Sequence, residues 1–258
     1  MSQTLKSDQI IRLDNSGIND LNDLCIVITA SPWKFSRFFG LSTKIIKSVW
    51  MLCGAIFDKN NDCEAFTNRY ECQDIKFEKD SQYANNDSNY SSLTISLELN
   101  KLRNKFNKIV FSCAYTEHNN NAFKTGTSYI LPSYFQIRLY KGLKSSSENL
   151  LGSFEIPNYT FEILKKDTSI SSKNFLNVLG YLTLNSANIE FACIGKHLPT
   201  NSFGCSEILD TREYYELIGS LDVFDAWKAK EEKERIEELA RKKQKKLEKK
   251  EKKKLKEK

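Results

Sequence analysis

Apolar and polar residues alternate in several short stretches of the first two hundred positions. In residues 93–99 (LTISLEL) every second side chain is apolar, and residues 135–139 repeat this pattern. A period of two is typical of a strand with one buried face. Residues 25–29 (CIVIT) form a continuous apolar and β-branched run, which predicts a buried strand. These patterns indicate a protein built from short strands.

Turn-forming residues separate the predicted strands. Gly142 ends one of them, and the sequence NSAN before Ile189 predicts a hairpin. The stretch NKLRNKFNK is a polar connection, and no sustained helical period occurs before Gly195. Nine or ten short strands at this spacing predict an all-β fold, an antiparallel β-sandwich. The predicted strands lie at residues 5–13, 25–29, 50–58, 93–99, 109–115, 135–140, 153–156, 161–164, 177–184 and 189–194, with a weaker one within 66–77.

From residue 210 the pattern becomes helical. Asp210, followed three residues later by Glu213, can form a capping box. After Trp227 the apolar residues thin out and Glu recurs with Lys or Arg at three and four residues, which favours a solvated helix over a coiled coil. The predicted organisation is a β-sandwich domain over 1–209, an amphipathic helix over 210–227 and a charged Lys/Glu-rich tail over 228–258. The apolar face of the helix comprises Tyr214, Leu217, Ile218, Leu221 and Phe224.

The net basic charge of the chain belongs to this tail. The whole chain carries +6, whereas residues 226–258 hold sixteen Lys and Arg against eight Glu, so residues 1–225 carry −2. Such an excess can neutralise phosphates of nucleic acid or of an anionic membrane surface. A purely solubilising charged helix is the alternative. Residues 241–258 lack aromatic side chains, so they cannot stack on single-stranded bases. The candidate contact residues are Arg241, Lys242, Lys243, Lys245, Lys246, Lys249, Lys250, Lys252, Lys253 and Lys254.

The seven cysteines include no CxxC pair, and their odd number does not indicate a disulfide framework. Four of them lie inside apolar runs and are predicted to be buried, reduced thiols, as in a reducing compartment. The N-terminal sequence MSQTLKSDQI has no apolar segment, and the longest apolar run, 49–57, is too short to cross a bilayer. We therefore expect a cytoplasmic protein. The four cysteines are Cys25, Cys53, Cys113 and Cys193.

The sequence offers little catalytic chemistry. Its two histidines, His118 and His197, lie in an Asn-rich stretch and near a predicted strand end, where surface positions are the ordinary expectation. The Cys and His spacings fit none of the usual zinc frameworks, and the ten glycines form no phosphate-binding loop. We expect no enzyme activity, no tightly held cofactor and no small-molecule substrate.

A polar segment before the strand at 93–99 holds the candidate metal site. Its sequence, KDSQYANNDSNYSS, places two carboxylates, Asp80 and Asp87, beside the amides of Asn85 and Asn86. Oxygen donors of this kind suit calcium. Asn, Asp and Ser also dominate ordinary turns, so a solvated turn is the competing interpretation.

Several stretches, taken in order, resemble a known family. They are LKSDQIIRL, CIVITASPW, WMLCGAIFD, KDSQYANND before SLTISLEL, FNKIVFSCAY, SYFQIRLY and VLGYLTLNSANIEFACIG. Together, over residues 5–195, they are similar to the TerD family of tellurium-resistance and stress proteins, and the chain resembles a divergent member. The best matches are the opening segment, FQIRLY, GYLTL and IEFACIG, where the family has Trp-Lys-Phe near residues 189–191.

The resemblance implies a non-catalytic β-sandwich with two Asp-bearing calcium loops. The first loop falls on Val49, Trp50 and Met51, so both of its carboxylates are absent here. The second falls on the polar segment described above and keeps two aspartates. Calcium prefers several carboxylates among about 6–8 oxygens. We therefore expect a degenerate, weak calcium site.

Two functions follow from the residues and the resemblance together. The first is a non-catalytic binding or scaffold module in a cytoplasmic stress or tellurite-resistance type system. The second is an adaptor whose basic tail binds nucleic acid or an anionic membrane surface while the sandwich docks a protein partner. Both functions imply a protein partner.

Overall fold

The structure is a computed structural model that describes residues 3–5, 9–13, 21–30, 33–37, 42–46, 51–67, 75–78, 91–114, 134–157, 174–185, 188–200 and 211–256. Within these residues the chain forms fourteen strands and three α-helices. They are β1 (Gln3–Leu5), β2 (Ile10–Arg12), β3 (Asp23–Ala30), β4 (Trp33–Arg37), β5 (Ser42–Ile46), β6 (Met51–Asp58), β7 (Cys63–Thr67), β8 (Ile75–Glu78), β9 (Ser91–Glu98), α1 (Leu99–Lys105), β10 (Phe106–Ala114), β11 (Tyr134–Lys141), β12 (Leu150–Pro157), β13 (Asn174–Leu184), β14 (Ile189–Thr200), α2 (Arg212–Leu217) and α3 (Leu221–Lys256).

Twelve of these strands form two six-stranded sheets. Sheet I has the order β1-β12-β11-β3-β9-β8, and sheet II has the order β2-β14-β13-β10-β6-β7. Neighbouring strands within both sheets are antiparallel except β1 and β12, which are parallel. The predicted architecture of mostly antiparallel sheets followed by a C-terminal helix is confirmed. Strand β10 lies in the interior of sheet II, between β13 and β6.

One apolar core joins the two sheets. Ile26 and Ile137, which point inward from sheet I, belong to the same buried cluster as Phe111 and Phe191 of sheet II. The rings of Phe154 and Phe191, one from each sheet, lie 5.3 Å apart between centroids. Burying a side chain of this size contributes about 1.5–3 kcal/mol. The apolar residues of the period-two pattern therefore form this core, although Thr94 and Ser96, which lie between them in β9, are buried as well.

Glycine and phenylalanine residues alternate across the centre of sheet II, and we term this set the glycine–phenylalanine row. Phe111 on β10 pairs with Gly54 on β6 and with Gly180 on β13. The rings of Phe66 and Phe191 fill the space beside these glycines: a Cβ at Gly54 would lie 2.5 Å from the first ring, and one at Gly180 would lie 3.0 Å from the second. Both rings also contact Phe111, at centroid distances of 6.4 and 6.3 Å. Both positions therefore require glycine, because a larger side chain at either one would displace a ring.

A short helix carries the chain from sheet I to sheet II, where the sequence predicted a polar connection. Helix α1 follows β9 directly and leads into β10. Leu99 and Leu102, three residues apart, are fully buried, whereas Asn100 and Asn104 are exposed. Two buried residues are too few to show a sustained helical period. The expectation that helix begins only after Asp210 is therefore wrong.

The expected nine or ten strands are too few, because strands of three to five residues show little alternation. The predicted strand over 5–13 is two strands, β1 and β2, at the edges of different sheets. No strand was predicted where β4 and β5 form their antiparallel pair. Residues 66–77 contain the end of β7 and the start of β8 instead of one weak strand. The strand predicted at 161–164 lies outside the described residues.

The four cysteines predicted to be buried are buried. Burial raises the pKa of the Cys113 thiol well above its ordinary value, because the thiolate would lose its hydration. Cys63, in contrast, is partly exposed. The buried thiols thus behave as small apolar core residues.

The chain divides into two compact units, Met1–Tyr214 and Tyr215–Lys258. The predicted domain limits at residues 209 and 227 remain predictions. Among the described residues, no helix combines the length and the apolar character that crossing a bilayer requires.

The structure interrupts the helix that was predicted over 210–227. Gly219 has a φ of 63° and separates α2 from α3. The Ser220 amide donates a hydrogen bond to the Tyr215 carbonyl at 2.8 Å, and the Gly219 amide donates one to the Glu216 carbonyl at 3.2 Å. This pair of bonds is the Schellman motif, which ends a helix at a glycine in the left-handed region. Helix α3 therefore begins as a new helix.

Candidate functional site on the C-terminal helix

Helix α3 carries the predicted contact residues that the structure describes. It contains 36 residues, which at 1.5 Å per residue gives a length of about 54 Å. Ser220 precedes it, a residue type favoured at helix N-caps, and Asp222 lies in its first turn, where the helix dipole favours a carboxylate. Residues 229–247 are all exposed. The helix therefore presents a long charged surface to solvent.

Aromatic residues pack together at the start of α3. The rings of Tyr215 and Phe224 lie 5.1 Å apart between centroids, and those of Phe224 and Trp227 lie 5.9 Å apart. The Lys228 ammonium lies 4.1 Å from the centroid of the Trp227 ring, in a cation–π contact. The sequence predicted an amphipathic face here. The three-residue spacing of Phe224 and Trp227 was the feature of the sequence that indicated a contact between their rings.

The first part of the charged region pairs its own charges. We term residues 228–242 the spacer segment, which holds six basic and five acidic residues. Exposed pairs at three- and four-residue spacing add only about 0.2–0.5 kcal/mol each to a helix. The spacer segment is almost neutral because its basic and acidic residues nearly cancel in number. The ion pairs among its described residues are Lys228–Glu231 at 3.0 Å, Arg235–Glu232 at 2.7 Å, Arg241–Glu237 at 4.0 Å and Lys242–Glu238 at 2.6 Å.

These pairs change the pKa values of their members. The hydrogen bond from Arg235 lowers the pKa of Glu232, and attraction by the same guanidinium acts in the same direction. The hydrogen bond from Lys242 likewise lowers the pKa of Glu238. Both carboxylates therefore stay ionised, and paired, to lower pH than an isolated Glu would.

The second part of the charged region has a large basic excess. We term residues 243–256 the distal basic segment, which holds nine basic residues against two acidic ones, a net charge of +7. Its backbone is helical throughout. The structure describes three of its basic side chains, those of Lys243, Lys245 and Lys246, and all three are exposed. None of the three takes part in the ion pairs found among the described residues.

The structure divides the ten predicted contact residues between these two segments. Arg241 and Lys242 belong to the spacer segment, where both form ion pairs with glutamates. The other eight lie in the distal basic segment. Sequence reasoning treated all ten alike because the pairing depends on which glutamates lie one helical turn away.

The predicted calcium ligands lie outside the described residues, as do Val49 and Trp50, while Met51 begins β6. In the part of the chain that the structure describes, no three His, Cys, Asp or Glu residues are grouped as a metal site would require. His197 lies in β14, and His118 is outside the described residues. The weak calcium site stays a prediction. Its proposed ligands are Asp80, Asn85, Asn86 and Asp87.

Proteins similar to this chain were found among solved structures. No protein-family model matches the chain, and no curated protein matches it. One similar structure is the crystal structure of a protein of unknown function, SAV2460, with a TM-score of 0.42 and 10% identity, covering 72% of this chain and 93% of that one. Another is a homologue of the telluride resistance protein TerD from Streptomyces coelicolor A3(2), with a TM-score of 0.39 and 11% identity, covering 71% of this chain and 92% of that one.

A TerD homologue is thus among the structures that this chain resembles. At this level of identity the likeness concerns the fold alone.

Proposed function

We propose that this chain is a non-catalytic binding module in which the two-sheet domain is the scaffold and α3 is an arm that contacts a polyanionic partner. The observation that carries the proposal is the distal basic segment, with its net charge of +7 on fourteen helical residues. A polyanion binds such a segment by releasing its condensed counterions. Nucleic acid and an anionic membrane surface both meet this description.

The spacer segment supports binding over a purely solubilising role. A helix that only improves solubility gains from interspersed charges of both signs and needs no block of one sign. Here the interspersed, ion-paired charges occupy residues 228–242, and the excess follows them. The first residue of the distal basic segment lies about 24 Å along the helix from Trp227. The arm thus separates its excess charge from its aromatic start.

The resemblance to the TerD family supplies a setting for this module. In that setting the chain acts in a cytoplasmic stress or tellurite-resistance type system, and the sandwich docks a protein partner. We favour the adaptor, in which sandwich and arm both bind, over a scaffold that uses the sandwich alone. The reason is that a sandwich-only scaffold leaves the separation of charge along α3 without a role.

Removal of the arm tests the proposal. The full chain and a chain lacking residues 228–258 would be compared for binding to labelled duplex DNA and to phosphatidylserine vesicles. We expect the full chain to bind at least one probe, with an affinity that falls as salt rises, and the shortened chain to bind neither. Equal binding by the two chains, or no binding by the full chain at low salt, would show the proposal to be wrong. Far-UV circular dichroism of the shortened chain checks that its strands persist.

A further inference from the structure

The distal basic segment separates its residues around the helix axis. Successive residues of an α-helix are about 100° apart. Its nine basic positions then fall within an arc of about 200°, which we term the basic arc, and its other five positions share a face of about 100°. Lys246 and Lys253 mark the centre of the basic arc, and Lys252 and Lys254 mark its two edges. The five other positions are Gln244, Leu247, Glu248, Glu251 and Leu255.

The spacer segment does not continue this separation. Continued along the helix, the side that corresponds to the basic arc contains Glu231, Glu232, Glu234 and Glu238. Two of these, Glu232 and Glu238, form ion pairs with basic residues of the same segment. Along α3, a wide arc of positions that holds lysines and no acidic residue is therefore confined to residues 243–256.

The width of the basic arc discriminates between anionic partners. A flat membrane surface faces at most half of a helix, so positions at both edges of an arc wider than 180° would lie beside the contact. The narrow remaining face does not suit insertion either, because its two leucines are eight positions apart with glutamates between them. A groove with phosphates on both sides uses the whole arc.

We propose that the distal basic segment binds in the major groove of duplex DNA. This groove is about 12 Å wide and admits an α-helix, whereas the major groove of duplex RNA is too deep and narrow. The two edges of the basic arc would lie toward the two phosphate backbones, and the face that holds both glutamates would lie outward. With a length of about 21 Å, the segment would follow roughly six base pairs. The proposal rests on the proposed function and specifies its polyanion.

The composition of the basic arc indicates binding without sequence preference. All nine of its basic residues are lysines, and the arc holds no Arg, Asn or Gln, the residues that read base edges through paired hydrogen bonds. Lysine acts as a flexible point charge toward phosphates. Affinity should accordingly depend steeply on salt and weakly on base sequence.

Three double variants of the full chain test this proposal, each removing two positive charges. Glutamine replaces lysine because the two have similar helix propensities, and circular dichroism verifies that helix content is unchanged. The probes are a labelled DNA duplex about two helical turns long, an RNA duplex of the same length, and vesicles of phosphatidylcholine with phosphatidylserine. The variants are K252Q/K254Q at the edges of the arc, K246Q/K253Q at its centre and K230Q/K233Q in the spacer segment.

For duplex DNA we expect the edge variant to reduce the slope of log affinity against log salt by about 2, one per lost phosphate contact, and the centre variant, whose lysines would face the groove floor, to reduce it by less. The spacer variant should change this slope by much less. An edge variant that binds DNA as the wild type does would overturn the proposal, and so would RNA duplexes or vesicles that bind as tightly as DNA. A wild-type chain that binds none of the three probes would instead overturn the proposed function.

Discussion

Replacing Gly54 by alanine tests the glycine–phenylalanine row at the centre of sheet II. The added Cβ would overlap the carbonyl oxygen of Val110 and would lie 2.5 Å from the Phe66 ring. The ring can turn away. The carbonyl cannot, because Val110 lies on β10, which is paired with β6 on one side and β13 on the other. We therefore expect β6 and β10 to move apart locally and to weaken their hydrogen bonds.

The expected loss of stability combines three contributions. Overfilling a close-packed core costs about 1–3 kcal/mol, and a weakened ladder hydrogen bond costs about 1 kcal/mol more. Alanine restricts the unfolded chain more than glycine does, which offsets about 0.4–1 kcal/mol. Because the overlap is with backbone, we expect a net loss of about 2–3 kcal/mol. At about 2–4 °C per kcal/mol for a domain of this size, the Tm should fall by roughly 5–10 °C.

Denaturant unfolding of the full chain, followed by circular dichroism, measures this loss. Gly142→Ala is the matched control, because its Cβ would meet nothing within 4 Å while its φ of +89° isolates backbone strain, expected to cost about 1–2 kcal/mol. Adding Phe66→Leu to Gly54→Ala should not restore stability if the carbonyl overlap dominates. A Gly54→Ala chain within about 0.5 kcal/mol of the wild type, the range of ordinary surface changes, would refute the reasoning.

Three further predictions concern calcium, thiols and pH. Isothermal titration should give a calcium dissociation constant of about 10⁻⁴–10⁻³ M or weaker, because two aspartates offset the dehydration of a dication poorly; a micromolar site abolished by Asp80→Ala would contradict this. Labelling of the native protein should be slow at the four buried cysteines and faster at Cys63, whereas rapid uniform labelling would argue against the strand assignments. The pKa values of Glu232 and Glu238 are lowered in the folded helix. The ionised carboxylates of these two residues therefore stabilise the helix fully above the ordinary Glu pKa, and this stabilisation is lost as pH falls through the lowered pKa values. Far-UV circular dichroism should show helix content decreasing over that acidic range, and a Glu238→Gln chain with the same decrease would count against the pairing.

The long strands could be predicted from the sequence because each repeats its pattern several times. Strands β9 and β11 have eight residues each and hold enough alternation to reveal a buried face, and β3, of the same length, is marked by its continuous apolar run. Strands β1 and β2 have three residues each, which is less than two periods of alternation. Their placement in different sheets depends on partners far along the chain, which no local pattern encodes.

The break between α2 and α3 was indicated in the sequence, but the helical spacing of the apolar residues argued against it. Apolar residues keep their helical spacing through the break, so periodicity favoured one continuous helix. Gly219 followed by Ser220 was the contrary evidence, since glycine favours the position after a helix end and serine favours a helix start.

The charge block of the arm was visible in the sequence as a count of lysines. Its division into a neutral spacer segment and a distal basic segment depends on geometry, because Glu238 meets Lys242 only if that part of the chain is helical. Local charge counts identify the basic segment, and the helix identifies which of its residues lie one turn from a glutamate.

The edge strands β1 and β2 set the order in which the domain can be completed during synthesis. They are made before the strands they pair with: β1 lies beside β12, and β2 lies beside β14. At a translation rate of about 5–20 residues per second, roughly 10–40 s pass between β1 and the end of β14. During that interval the β1 and β2 segments have no partner strand, and when β12 and β14 emerge, each offers an unpaired edge to any nearby chain. The N-terminal segment thus adds a short edge strand to each sheet, and its loss would leave residues 152–154 of β12 and 190–192 of β14 without these partners on the finished protein.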